Sequence, residues 1–231
     1  MPAGARPPAL AAIARRSLKG GIGLLALPQF SLQMLLIEIP GVLVAIVLHE
    51  FAHAAVATAL GDPTPRLQGR LSLDPLRHID WIGAIFFLLA GFGWAKPVQI
   101  DPRYYRNPRA GMVLVALAGP IMNMLVALVC LFVLVHVAFP TSGVGRVVGE
   151  MVSTAVELNV FFGVFNILPI PPLDGSRILS AISREGMRLM TAVEPYGWIL
   201  LLVLLVFGVL GKVLQPMADV VLRVLEAMVG A

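Results

Sequence analysis

Cysteine is all but missing from this 231-residue chain: there is one, Cys130, inside an apolar run. No disulfide framework can form, and nothing about the redox compartment follows. Charge is scarce as well, with Asp, Glu, Lys and Arg making up 13% of residues against 58% hydrophobic, and a mean hydropathy of +0.90. That balance excludes an ordinary soluble domain and identifies an integral membrane protein, most simply a single integral domain. A basic stripe with interleaved aromatics is absent, so the formal net charge of +4 does not mark a nucleic-acid binder. The arginines instead fall between apolar segments, where they set topology. Inverted repeats, or a file of ionisable residues through both leaflets, would mark a transporter, and neither is visible.

What is present is a set of apolar segments of unequal length. A crossing helix needs about 20 apolar residues. Residues 32–60 meet that length with Glu38 as the only charge before position 50, and 110–145 contains no Asp, Glu, Lys or Arg at all, with a helix expected to end near Pro140. Residues 147–168 make a further crossing, interrupted by Glu150 and Glu157, and Pro195 to Gly211 another, followed by an amphipathic tail with Asp219, Arg223 and Glu226. Trp81 to Ala95 is only fifteen residues long and carries Gly83, Gly91 and Gly93. It is too short to span and reads as re-entrant. Both its flanks are basic, with Arg66, Arg70 and Arg77 before it and Lys96, Arg103, Arg106 and Arg109 after it, as expected if both lie on the cytosolic side. Arg6, Arg15, Arg16 and Lys19 precede an apolar stretch in the manner of a signal sequence. That stretch continues directly into the next segment, which argues against cleavage, and whether 1–31 spans is left open.

The chemistry is concentrated in Leu48-His49-Glu50-Phe51-Ala52-His53, an H-E-x-x-H motif near the cytosolic end of the first long apolar run. Residues four apart share a helical face, so His49 and His53 can offer two imidazole nitrogens to one Zn²⁺, with Glu50 beside the open position as general base. The motif also occurs by chance in soluble helices. Three ionisable groups in an apolar helix, at roughly 2–3 kcal/mol each when charged, are harder to explain without a function. Two ligands leave a zinc site incomplete. The third should be a carboxylate or imidazole at membrane depth, on irregular backbone that lines a polar cavity. Asp174, after Pro169, Pro171 and Pro172 and before Gly175, fits best, although an ordinary Asp-Gly turn would look the same.

Five motifs in order, covering roughly residues 35–180, resemble the site-2 protease family of intramembrane zinc metalloproteases in its compact bacterial form. They are His49 to His53, Gly69 to Asp80, Trp94-Ala95-Lys96-Pro97-Val98, Gly119-Pro120-Ile121-Met122-Asn123, and Asn166 to Gly175. The resemblance implies one zinc per chain held by His49, His53 and Asp174, with Glu50 activating water and Asn166 contacting the reacting peptide or its oxyanion. No PDZ or CBS module is expected, since too few soluble residues remain to build one.

The expected protein is thus all-α and polytopic, with four to six transmembrane helices, a re-entrant segment, and room for a short β-hairpin or edge strand near 64–73. An N-terminal extension (1–31) would precede a metalloprotease core (32–180), followed by a C-terminal transmembrane helix and amphipathic tail (181–231). Its function would be endoproteolysis of transmembrane or membrane-adjacent segments of other membrane proteins, from the cytosolic leaflet of a bacterial inner membrane. The substrate strand would add to the edge at 64–73, where Leu67, Leu71 and Leu73 partly alternate. The alternatives are a catalytically silent scaffold or a metal transporter. Asn123 is expected to hydrogen-bond to the zinc helix as packing, His78 to be interfacial or to support the site, and Glu157 to face a polar cavity or be paired.

Overall fold

The computed structural model describes residues 32–90 and 93–230, and the side chains of all of these except 32–35 and 87–90. The N-terminal extension 1–31 and Gly91 lie outside the described residues. Nine α-helices follow in order among those described: α1 (Leu32–Ala59), α2 (Thr64–Leu67), α3 (Trp81–Ala90), α4 (Pro108–His136), α5 (Gly143–Ile167), α6 (Asp174–Ile182), α7 (Arg184–Val193), α8 (Gly197–Val206) and α9 (Val209–Val229). Four stretches among the described residues are long and apolar enough to cross a bilayer: Leu36–Ala59, Pro108–His136, Gly143–Ile167, and Arg184–Val206, which joins α7 and α8 through the 3₁₀ turn Glu194–Tyr196. Helices satisfy their own backbone polar groups, so an uncharged run such as that of α4 can lie in hydrocarbon.

The core is a three-way packing of α1, α4 and α5. From the other side α9 folds back on α4 and α5 and buries Leu210, Leu214 and Leu225 with Leu131, Val156, Val160 and Leu201. The apolar run Pro195 to Gly211 is therefore not one uninterrupted crossing. Gly208 takes the left-handed conformation (φ 68°), which costs glycine little, and the chain turns there between α8 and α9.

Between α1 and α4 the chain forms the element that frames the site. The helix α3 has ten residues, about 15 Å of rise and half the hydrocarbon thickness of a bilayer. It starts on a cap in which Asp80 Oδ1 accepts from the Gly83 N–H (2.9 Å). After it the chain returns, because Ile79 and Ala95 form an antiparallel bridge and the Lys96 N–H donates to the His78 carbonyl (2.9 Å). Entry and exit of the segment are thus side by side, the geometry expected of a re-entrant hairpin. Trp81, Ile82, Ile85 and Phe86 are exposed on α3, as a lipid-facing surface would be. Farther along, the buried Asp62 accepts from the Thr64 N–H (2.8 Å) and the Asp101 N–H (2.7 Å), pinning the exit of the hairpin to the end of α1. Burial, helped by the carboxylates of Asp62 and Asp101, pushes the Tyr105 hydroxyl up to about 12.

The expected edge strand near 64–73 does not form: a helical turn opens the segment and the rest is turn and loop. Thr64–Leu67 closes a helical turn, with the Gln68 N–H donating to the Thr64 carbonyl (3.1 Å), and no strand occurs among the described residues. Pro65 at the start of that turn favours helical φ, and a spacing of alternate leucines could not outweigh it.

Candidate metal centre

The period of α1 puts His49 and His53 on one face, both buried and turned towards α4. Opposite them stands Asp174, the first residue of α6, also buried. Its placement depends on Gly175. A Cβ at that position would lie 2.0 Å from the Ile167 carbonyl oxygen and 2.5 Å from that of Leu168, so only glycine lets α6 begin against the end of α5. Its φ is not positive, so Gly175 supplies close approach rather than a left-handed turn.

The three side chains meet at one point. His53 Nε2 lies 3.0 Å from His49 Nε2, and each of these nitrogens lies 3.1 Å from Asp174 Oδ2. The other ring nitrogens are engaged elsewhere: His49 Nδ1 donates to Asn123 Oδ1 (2.6 Å) and His53 Nδ1 to the Val115 carbonyl (2.7 Å). Both Nε2 atoms therefore present lone pairs, and the carboxylate adds another. Three acceptors at this spacing repel one another unless something positive sits between them. Tetrahedral zinc, with bonds of about 2.0–2.1 Å, asks for ligand atoms roughly 3.3 Å apart, close to the triangle present here. No other group of three or more His, Cys, Asp or Glu side chains suited to a metal occurs among the described residues.

Space for the ion is made by α4. A Cβ on Gly119 would lie 2.4 Å from His53 Nε2 and 2.6 Å from His49 Nε2, so any side chain there would collide with the two ring nitrogens at the centre itself. The motif Gly119 to Asn123 thus contributes twice, through a missing side chain and, one turn on, through an amide. Asn123 is fully buried; its Nδ2 donates to the Ala45 carbonyl (3.1 Å) and to Asn159 Oδ1 (2.9 Å) while its Oδ1 receives His49. It bonds to α1 as expected, but through a candidate ligand rather than through packing alone.

Glu50 is half-buried beside the centre, with Oε2 accepting from the Val98 N–H (3.1 Å). Asn166 stands in the last turn of α5, where its Nδ2 donates to the Phe162 carbonyl (2.9 Å), and no hydrogen bond joins it to the three converging residues. His78 is buried in the loop before α3, where Nε2 donates to the Ser72 carbonyl (2.7 Å); it is not one of the converging group. Glu157 is half-buried on α5. Three contributors had not been identified from sequence: Asn159, the Val115 carbonyl and the Val98 N–H. Asn159 was detectable in principle, as an amide in an apolar helix. Backbone groups leave no signal in the letters.

The sequence profile of Peptidase family M50 matches residues 38–157 and 141–208. In Bacillus subtilis the protein named "Putative zinc metalloprotease YwhC" is 41% identical over 187 residues, which cover 77% of this chain and 83% of that one. "Putative zinc metalloprotease Rip2" of Mycobacterium tuberculosis is 31% identical over 172 residues, 72% of this chain and 65% of its own. "Putative zinc metalloprotease MJ0611" of Methanocaldococcus jannaschii is 30% identical over 154 residues, 66% of this chain and 73% of its own. No solved structure matches this chain. Profile and identity agree with a buried centre whose lone pairs call for a cation, and the chain belongs to peptidase family M50, the site-2 protease family of zinc metalloproteases.

Proposed function

We propose that this integral membrane protein is an intramembrane endopeptidase that cuts within or beside a transmembrane segment of another membrane protein. The observation that carries the reading is the convergence of His49, His53 and Asp174 on one buried point inside a bundle of spanning helices. These three residues hold one zinc per chain, within the core 32–180. Bound there, Zn²⁺ acts as a Lewis acid that acidifies water towards a pKa of about 7 and polarises a carbonyl oxygen.

The remaining steps belong to the chain. Glu50 takes the proton of the attacking water and passes it to the leaving amine. The Val98 N–H holds one oxygen of that carboxylate and leaves the other to work. Asn166 steadies the oxyanion once its Nδ2 leaves the Phe162 carbonyl. A helical substrate hides its peptide bonds in its own hydrogen bonds and must unwind to be cut. The main chain at 94–98, which already bridges residue 79 and reaches Glu50, is the backbone such an unwound segment would pair with. The basic residues flanking the re-entrant hairpin support a site in the cytosolic leaflet of a bacterial inner membrane.

The test is Glu50→Gln. An amide cannot accept the proton, so cleavage of a co-expressed membrane substrate should fall about 10²- to 10⁴-fold while zinc stays bound. Cleavage at the wild-type rate would overturn the mechanism. Zinc movement across vesicles without cleavage would favour a transporter instead.

A further inference from the structure

We infer that Asn159 is a positioning residue for the metal centre: it sets the amide orientation of Asn123 and, through that amide, the tautomer and ring orientation of His49. The inference rests on the reading that His49, His53 and Asp174 hold zinc.

The two ends of an asparagine side chain have nearly the same size, so shape alone does not choose between an amide and its flipped form. Hydrogen-bond partners choose. The first member of the chain of bonds here is a main-chain carbonyl in α5, which cannot flip. Asn159 Nδ2 donates to the Ala155 carbonyl one turn back (2.8 Å), so Asn159 Oδ1 must face α4. There it accepts from Asn123 Nδ2 (2.9 Å), whose second hydrogen goes to the Ala45 carbonyl (3.1 Å). With both amide hydrogens committed, Asn123 Oδ1 faces His49 and receives Nδ1–H (2.6 Å). His49 Nε2 is thereby left as a lone pair directed at His53 Nε2 and Asp174 Oδ2. A flipped Asn123 would present N–H to Nδ1, move the proton of His49 to Nε2, and place it where the metal must bind.

Two features show that this chain of bonds is built to be held. Asn123 and Asn159 are both fully buried, so water cannot substitute for a lost partner. Gly163, one turn beyond Asn159, leaves room at this contact: a Cβ there would meet the Met124 methyl carbon at 2.2 Å and lie 3.3 Å from the Pro120 carbonyl oxygen. Partners behind a metal-ligating imidazole are typically worth 10- to 100-fold in metal affinity.

The experiment measures Zn²⁺ affinity of the full chain in detergent by competition with a chromophoric chelator. Helix content and the thermal midpoint of metal-free protein are recorded alongside. Asn159→Leu, or Asn159→Ala if the larger side chain unsettles the bundle, should weaken zinc binding about 10- to 100-fold in protein that remains helical. Asn159→Asp has the same shape and is neutral when buried, so its hydroxyl can bond the Ala155 carbonyl and its carbonyl oxygen can accept from Asn123; it should stay within a few-fold of wild type. A purely structural contact would lower the midpoint of the Leu and Ala variants and leave their zinc affinity unchanged. A folded Leu or Ala variant with wild-type affinity overturns the inference, and so does an Asp variant that loses as much as Leu. Wild type that takes up no zinc would overturn the metal reading and this inference with it.

Discussion

The Val98 N–H donates to the Glu50 carboxylate across 3.1 Å, joining the re-entrant hairpin to the helix that carries the H-E-x-x-H motif. The contact is fixed from behind. The Lys96 N–H bonds the His78 carbonyl, Ile79 bridges Ala95, and the buried Arg70 guanidinium donates to the carbonyls of both Arg77 and Lys96. The re-entrant hairpin and the candidate base are therefore held to one another through this backbone contact.

Val98→Pro removes this donor in a segment that belongs to no helix or strand and already contains Pro97. A hydrogen bond to a charged group is worth about 1.5–3 kcal/mol, so turnover should drop about tenfold or more with zinc retained. Val98→Ala, which keeps the N–H, should stay near wild type. Equal losses in the two variants, read from initial cleavage rates, would show that the side chain matters and the N–H does not.

Gly119→Ala should abolish zinc uptake, because the added methyl would fall 2.4–2.6 Å from atoms of both imidazole rings. Elemental analysis of purified protein reads the stoichiometry. The helical signal should persist, since the position lies mid-helix and alanine is the better helix former by about 1 kcal/mol. One tightly held zinc in this variant would displace the centre from its assigned position.

Asp174→Ala should strongly lower zinc affinity, whereas His78→Ala should bind zinc as wild type does, because His78 is bonded to Ser72 in its own loop. Loss of metal in the His78 variant with retention in the Asp174 variant would move the third ligand to the loop.

Topology is checked by single cysteines on a Cys130→Ala background. Arg66→Cys and Arg106→Cys should react on the same face of sealed vesicles with an impermeant thiol reagent, because the hairpin between them leaves and returns at the bridge of Ile79 with Ala95. Labelling from opposite faces would show that 81–95 spans.

Much of the architecture could be read before any coordinates. The uncharged run that begins at Ala110 had to be helical where it lay in hydrocarbon, and fifteen residues between Asp80 and Lys96 were too few to cross. His49 and His53 share a face because the helical period is local. The expectation at 64–73 failed because alternation over a few leucines is weak beside a proline suited to the first turn of a helix.

Composition and spacing were enough for class, three of the four spanning segments and two converging imidazoles, since each depends on residues near one another along the chain. The tertiary structure decided the rest. Whether Asp174 was a turn residue or a partner of the histidines depended on how closely α6 could start against α5, a distance set by the missing side chain of Gly175. The orientation of His49 depended on amides from two other helices, and that of His53 on the Val115 carbonyl. Every residue but proline carries the same backbone groups, so which of them faces a side chain is settled only when helices pack, and no residue letter records it.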